Sequence, residues 1–174
     1  MKKSLLAVIG LILIFVMAAC SEDTSNKVET QDIKKMVQDF SGKDSNEEVT
    51  ASITSEELIV TNSDNKEISY SLPEDEFFVP IAPFVEVTHP CTNHSLTGCQ
   101  GELVEKKFDV YIEDEDGNVI VDEPMTSLKN GFIDFWLPRD KNYYVKIQYD
   151  GKTAESEIST FEGDNTCITT IQLI

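Results

Sequence analysis

Three of the chain's four cysteines and both of its histidines carry most of its chemical potential, and their placement is concentrated. The stretch His89-Pro90-Cys91-Thr92-Asn93-His94-Ser95-Leu96-Thr97-Gly98-Cys99 holds both imidazoles and two thiols, and Cys167 follows near the carboxy terminus. Outside the cytoplasm unpaired thiols tend to oxidise, so one reading is a structural disulfide, Cys91 to Cys99 or a loop cysteine to Cys167, with one thiol left over. A second reading is a metal site. Three thiolates and an imidazole are soft, polarisable donors that suit Cu(I) or Zn(II) and exclude Ca(II) and Mg(II). Thiol catalysis is a third. Residue type and spacing leave these alternatives open, and they do not separate copper from zinc.

The amino terminus places those thiols outside the cytoplasm. Lys2 and Lys3 precede an apolar run from Leu5 to Val16, and Met17-Ala18-Ala19-Cys20 closes it as a lipobox. Residues 1–19 therefore read as a lipoprotein signal peptide, with Cys20 as the acylated first residue of the mature chain and the membrane reached by lipid anchor only. Residues 20–30 are almost entirely polar and read as a tether. With 32 acidic against 14 basic residues the net charge is −18. A field of that sign repels phosphate, which excludes nucleic acid and makes cations the natural counterpart.

The elements that must position the thiols follow from periodicity. Ile33, Met36, Val37 and Phe40 form one apolar helix face, with Thr30 as N-cap and Gly42 as the stop, so Met36 is expected in a core and not as a copper ligand. Alternation then marks strands at Val49–Ile53, Leu58–Val60 and Ile68–Leu72, with Asn62-Ser63-Asp64-Asn65 as a turn. Pro73, Pro80, Pro83 and Pro90 break the next stretch, while Phe77, Phe78, Val79, Ile81 and Phe84 make it sticky enough to pack between the two parts. Beyond it strands are expected over 84–88, 103–113, 119–122, 131–137, 143–149, 153–161 and 166–173, with Asp116-Gly117 and Asp150-Gly151 as hairpin turns. In the last of these Cys167, Thr169, Ile171 and Leu173 share one face.

The expected fold class is thus α+β: a small helix-plus-antiparallel-sheet domain over 31–76, an apolar connection over 77–83, and an antiparallel β-sandwich of immunoglobulin or prealbumin type over 84–174. Trp136, Tyr143 and Tyr144 are read as core aromatics. If the first and last strands of the sandwich are neighbours, Cys167 lies within reach of the loop.

The loop Cys91-Thr92-Asn93-His94-Ser95-Leu96-Thr97-Gly98-Cys99, with Gly101-Glu102-Leu103 after it, the proline-broken stretch before it and one late cysteine, resembles the CueP family of extracytoplasmic copper-binding proteins. The likeness spans essentially the whole mature chain. It implies a two-domain protein whose amino-terminal domain can form a homodimer, and a β domain whose three metal-binding cysteines map onto Cys91, Cys99 and Cys167. His94 matches the family's loop histidine, and His89 is a further candidate outside the motif. The resemblance also implies copper resistance, supply of copper to an exported cuproenzyme such as superoxide dismutase, and a disulfide reductase that keeps the cysteines reduced. A lipid anchor is where this chain departs from that pattern.

Copper suits the set physically. Cu(I) accepts two or three thiolates, and a dry pocket would hold it against disproportionation; Zn(II) is the substitute the same donors would take. Two thiolates can also reduce two Cu(II) ions while forming a disulfide, a stoichiometric step and not turnover, so the chain is not read as an enzyme. Asp114, Asp116, Gly117 and Glu123 fall at EF-hand spacing, but Ile112 stands where the first ligand belongs.

Overall fold

The i, i+3, i+4 spacing of Ile33 and Val37 produces helix α1, Thr30–Phe40, which buries both of those side chains. Three strands follow, β1 (Val49–Ile53), β2 (Glu57–Asn62) and β3 (Glu67–Ser71). They pair antiparallel, and the β2–β3 turn is closed by Asn62, whose Oδ1 accepts from the Asp64 and Lys66 amides. Then come β4 (Glu76–Ile81), the two-residue β5 (His94–Ser95), β6 (Lys107–Asp114), β7 (Val119–Thr126), β8 (Ile133–Pro138), β9 (Asn142–Tyr149) and β10 (Lys152–Ser159). This computed structural model describes residues 30–41 and 49–174; the leader 1–19, Cys20, the tether to residue 29 and the Gly42 stop lie outside the described residues. The fold is α+β, with one short helix and mainly antiparallel strands among the described residues.

Among the described residues three sheets carry the architecture, ordered β3-β2-β1-β5, β10-β9-β6-β7 and β4-β8. The β4–β8 pair is the wall between two cores. Alternation sends Phe77, Val79 and Ile81 of β4 with Ile133, Phe135 and Leu137 of β8 into a large core shared with β6, β9 and β10. Phe78 points the other way and joins Ile33, Val37, Ile53, Leu58 and Leu96, with Met36 and Trp136 packed against that second core. Lys34 of α1 ion-pairs with Glu76 and lies 5.2 Å over the Trp136 ring, which docks the helix on this wall.

Two expectations need correction. The stretch 77–83, read as a connection, is largely strand β4. Its proline is tolerated because Pro80 accepts from the Ile168 amide, so the missing N–H falls on the side of the carboxy-terminal segment and not on the β8 ladder. Conversely, 84–88 and 166–173 are not regular strands. The carboxy-terminal segment runs alongside β4 and then alongside the residues that follow it, through isolated parallel bridges, Ile81 to Ile168 and Phe84 to Gln172. The alternation in the last segment nonetheless buries Cys167, Thr169, Ile171 and Leu173 together.

The hairpin turns use left-handed backbone where expected: Gly117, Asp150 and Gly151 all have positive φ. At the β6–β7 turn Asp114 accepts from the Asp116 and Asn118 amides, and its carboxylate is bridged by Lys141 at 2.7 Å. Those bonds to Lys141 and Asn118 hold its carboxyl well below the usual range. A cleft of about 680 Å³ between α1 and the β7–β8 region is lined by Phe78, Met125, Leu128 and Trp136, with Asp134 in its floor.

Candidate metal centre

The cysteine-rich loop is strapped down by backbone pairing. Strand β5 joins the edge of β1 with Ser52 opposite Ser95 and Ile53 opposite His94. The Leu96 amide donates to Ala51 O at 2.9 Å, and the Ala51 amide donates to Thr97 Oγ1 at 3.2 Å. Leu96 then fills the core beneath α1. A tight turn carries the chain on to Cys99, whose amide donates to Ser95 O at 3.0 Å. Gly98 belongs in that turn because a Cβ there would sit 2.8 Å from Ser95 Oγ.

The terminal segment is fixed to the same loop. The Cys167 amide donates to Thr92 O at 3.2 Å. Thr166 Oγ1 accepts from the His94 amide at 3.1 Å and donates to Ile53 O at 2.8 Å. One hydroxyl therefore ties strand β1, the loop histidine and the residue before Cys167. Behind them Gly131, at φ +80°, packs so closely on Gly101 that a Cβ would lie 2.6 Å from the Gly101 carbonyl oxygen.

These constraints bring Cys91, His94, Cys99 and Cys167 together, with their potential ligand atoms all within 4.8 Å of one another. Cys91 and Cys167 are joined as a disulfide with a Cα–Cα distance of 5.5 Å, and Cys99 is a free thiol. Cys99 Sγ lies 3.6 Å from Cys91 Sγ, and His94 Nδ1 lies 3.5 Å from Cys167 Sγ. Cys167 packs with Ala82 and Phe132, while Cys91 and Cys99 are half-buried against that cluster.

His94 is fully buried, between Phe132 at 4.4 Å and Phe78 at 6.4 Å between ring centroids. Burial first, and then the neighbouring His89, lower its pKa to about 4. The imidazole is thus neutral at physiological pH, the form that ligates metal. Its Nε2 is buried without a hydrogen-bond partner. The other ring nitrogen, Nδ1, is the one set against a sulfur, and a neutral imidazole beside three sulfurs is a donor set that fits a soft cation.

His89 stands apart from the cluster. It is half-buried, and its carbonyl accepts from Thr169 Oγ1 at 2.7 Å. Two contributors, Thr166 and Phe132, had no motif signal of their own, and Glu102 was marked only as part of the Gly101-Glu102-Leu103 run after the loop. Glu102 takes the Val85 amide at 2.6 Å and the Glu86 amide at 3.1 Å. Burial would raise its pKa, but the Val85, Glu86 and Val87 amides win and lower it. Thr166 and Glu102 lie close to a cysteine in sequence, whereas Phe132 is far from all of them and only the fold brings it to the site.

Among the described residues no helix is long and apolar enough to cross a membrane. The sequence pattern of the family described as periplasmic copper-binding protein CueP matches residues 32–172. No curated protein matches. Among solved structures, the crystal structure of S.CueP is similar with a TM-score of 0.75 and 39 % identity, over 83 % of this chain and 88 % of that one.

Proposed function

The chain belongs to the CueP family of periplasmic copper-binding proteins, and we propose that it holds one Cu(I) outside the cytoplasm on the thiolates of Cys91, Cys99 and Cys167, with His94 as the fourth donor. The carrying observation is the convergence of those three sulfurs and one neutral, buried imidazole, whose candidate ligand atoms lie within 4.8 Å of one another. Thiolates favour Cu(I) over harder ions, and Zn(II) is the competitor the same donors would accept. A Cys91–Cys167 disulfide blocks two of the three sulfurs, so copper loading requires prior two-electron reduction. The reverse step supplies electrons: two thiolates reduce two Cu(II) to two Cu(I) and become the disulfide.

In this reading the protein is not an enzyme. It sequesters copper, contributes to copper resistance or hands the ion to an exported cuproenzyme such as a superoxide dismutase, and depends on a disulfide reductase for its reduced state. A sandwich-like β domain over 84–174 would present the site, the helix domain over 31–76 would be the surface for a homodimer, and Cys20 would carry the lipid that holds the chain at the membrane. Cys20→Ala should abolish acylation without changing copper affinity, because a polar tether separates lipid and site. The disulfide favours a second reading, a disulfide-stabilised or thiol-exchanging module without metal. Metal content and thiol count of protein purified under reducing conditions decide between them. Three free thiols per folded domain with one bound copper support the first reading; full reduction without copper uptake supports the second.

A further inference from the structure

We infer that the three thiols exchange partners within the site: Cys99 attacks the Cys91–Cys167 disulfide at Cys91, moving the oxidised bond to Cys91–Cys99 and releasing Cys167 beside His94. The inference concerns the same site as the copper reading but rests on the sulfurs alone, and the exchange runs without metal.

The geometry is that of a thiol held against a disulfide. Cys99 Sγ lies 3.6 Å from Cys91 Sγ, close to the contact distance of two sulfurs, and the Cys99 amide bond to Ser95 O keeps it there. Cys99 attacks as an intramolecular partner once rotation about its own Cα–Cβ bond brings its sulfur into line with the Cys91–Cys167 bond; at rest it lies beside that bond, since all the donor atoms are within 4.8 Å of one another. The step balances within the protein. The Cys99 proton goes to solvent, and the sulfur's electron pair forms the new bond to Cys91. The Cys91–Cys167 bond breaks with its pair on Cys167, which takes up a proton. No electron enters or leaves.

Exposure gives the exchange its consequence. Cys167 is 3 % exposed and its sulfur is shielded by Ala82 and Phe132, whereas Cys91 and Cys99 are both half-buried. Before the exchange, one end of the disulfide is hidden from any protein-sized dithiol. Afterwards both of its sulfurs lie in the accessible loop. The exchange therefore moves the oxidised bond wholly into the accessible loop, and the liberated Cys167 sits where His94 Nδ1 can accept its S–H.

The test uses folded, oxidised, metal-free protein. It is labelled with N-ethylmaleimide for increasing times, quenched in acid, and digested with a protease that cuts after Leu96, so that Cys91 and Cys99 fall on separate peptides. Label on both Cys99 and Cys167 is expected, the latter accompanied by a Cys91–Cys99 cross-linked peptide. Label confined to Cys99, with only the Cys91–Cys167 cross-link, would overturn the inference, and this arm needs no variant. In a second arm, Cys99→Ser, checked for a cooperative thermal transition, should leave Cys167 unlabelled over the same time course. Label on Cys167 in this variant would show that it is freed without Cys99 and would overturn the inference. Copper affinity of the reduced protein is measured separately, so an exchange that fails with copper binding intact is distinguishable from the converse.

Discussion

His94 Nδ1 lies 3.5 Å from Cys167 Sγ across 73 positions of sequence, while Nε2 of the same ring is buried without a partner. The contact joins an imidazole held on β5, an edge strand of the helix-side sheet, to a disulfide sulfur held by the carboxy-terminal segment alongside β4. Its unequal neighbours predict unequal roles. Cys91→Ser, Cys99→Ser and Cys167→Ser should each weaken Cu(I) binding by roughly 100-fold or more, because a lost thiolate leaves a gap that water fills poorly. His94→Ala should cost roughly tenfold, and His89→Ala less than about twofold. Chelator competition across the five variants gives the order; a Cys167→Ser variant as tight as wild type would remove the terminal segment from the site.

Thr166 predicts a stability effect at the site's hinge. Thr166→Val keeps the shape but leaves the buried His94 amide and Ile53 carbonyl without this hydroxyl. A loss of about 1–2 kcal/mol is expected in urea unfolding, together with faster alkylation of Cys99.

The Gly131–Gly101 contact predicts a larger one. Gly131→Ala adds a Cβ at φ +80° against the Gly101 backbone, where neither partner is a flexible side chain. The expected cost is roughly 1–3 kcal/mol, read as a lower urea midpoint with unchanged slope. Gly117→Ala, also at positive φ but with open space around it, should cost less.

Asp134 predicts the pH dependence. Burial raises its pKa to about 6, and its Oδ1 has no hydrogen-bond partner. A carboxyl with a folded pKa above its unfolded value of ~3.9 keeps its proton longer in the native state. This contribution to stability therefore falls as pH rises from about 4 to about 6 and is flat above that. Asp134→Asn should stabilise the protein by roughly 2 kcal/mol at pH 7 and leave it unchanged near pH 4, measured by denaturation at both pH values.

Much of this architecture was legible because its cause is local. The helix face at Ile33 and Val37 and the glycine turns at 117 and 151 depend on periodicity and φ alone. The gathering of Cys91, His94, Cys99 and Cys167 was legible from residue chemistry, since all four are uncommon donors, whereas the choice of Cys91 and Cys167 as the disulfide pair was one of several left open. Strand β4 was obscured because both of its faces are buried, so Phe77 and Phe78 show no alternation, and Pro80 argued against a ladder that in fact lies on its other side. The segment at 166–173 kept its alternation while pairing only through isolated bridges, a long-range outcome that no local pattern records. Pairing of β5 with β1 was likewise invisible, because two residues carry no period. It makes the loop part of the helix-side sheet and not a free connection.

The decisive measurement is the Cu(I) stoichiometry of the reduced, folded domain in competition with a bidentate chelator such as bicinchoninate. One Cu(I) per chain should be withdrawn from the chelator, with all three of Cys91, Cys99 and Cys167 protected from alkylation in the loaded protein. A fully reduced, folded protein that leaves all the copper with the chelator, its three thiols still freely alkylated, would rule out copper holding at this cluster.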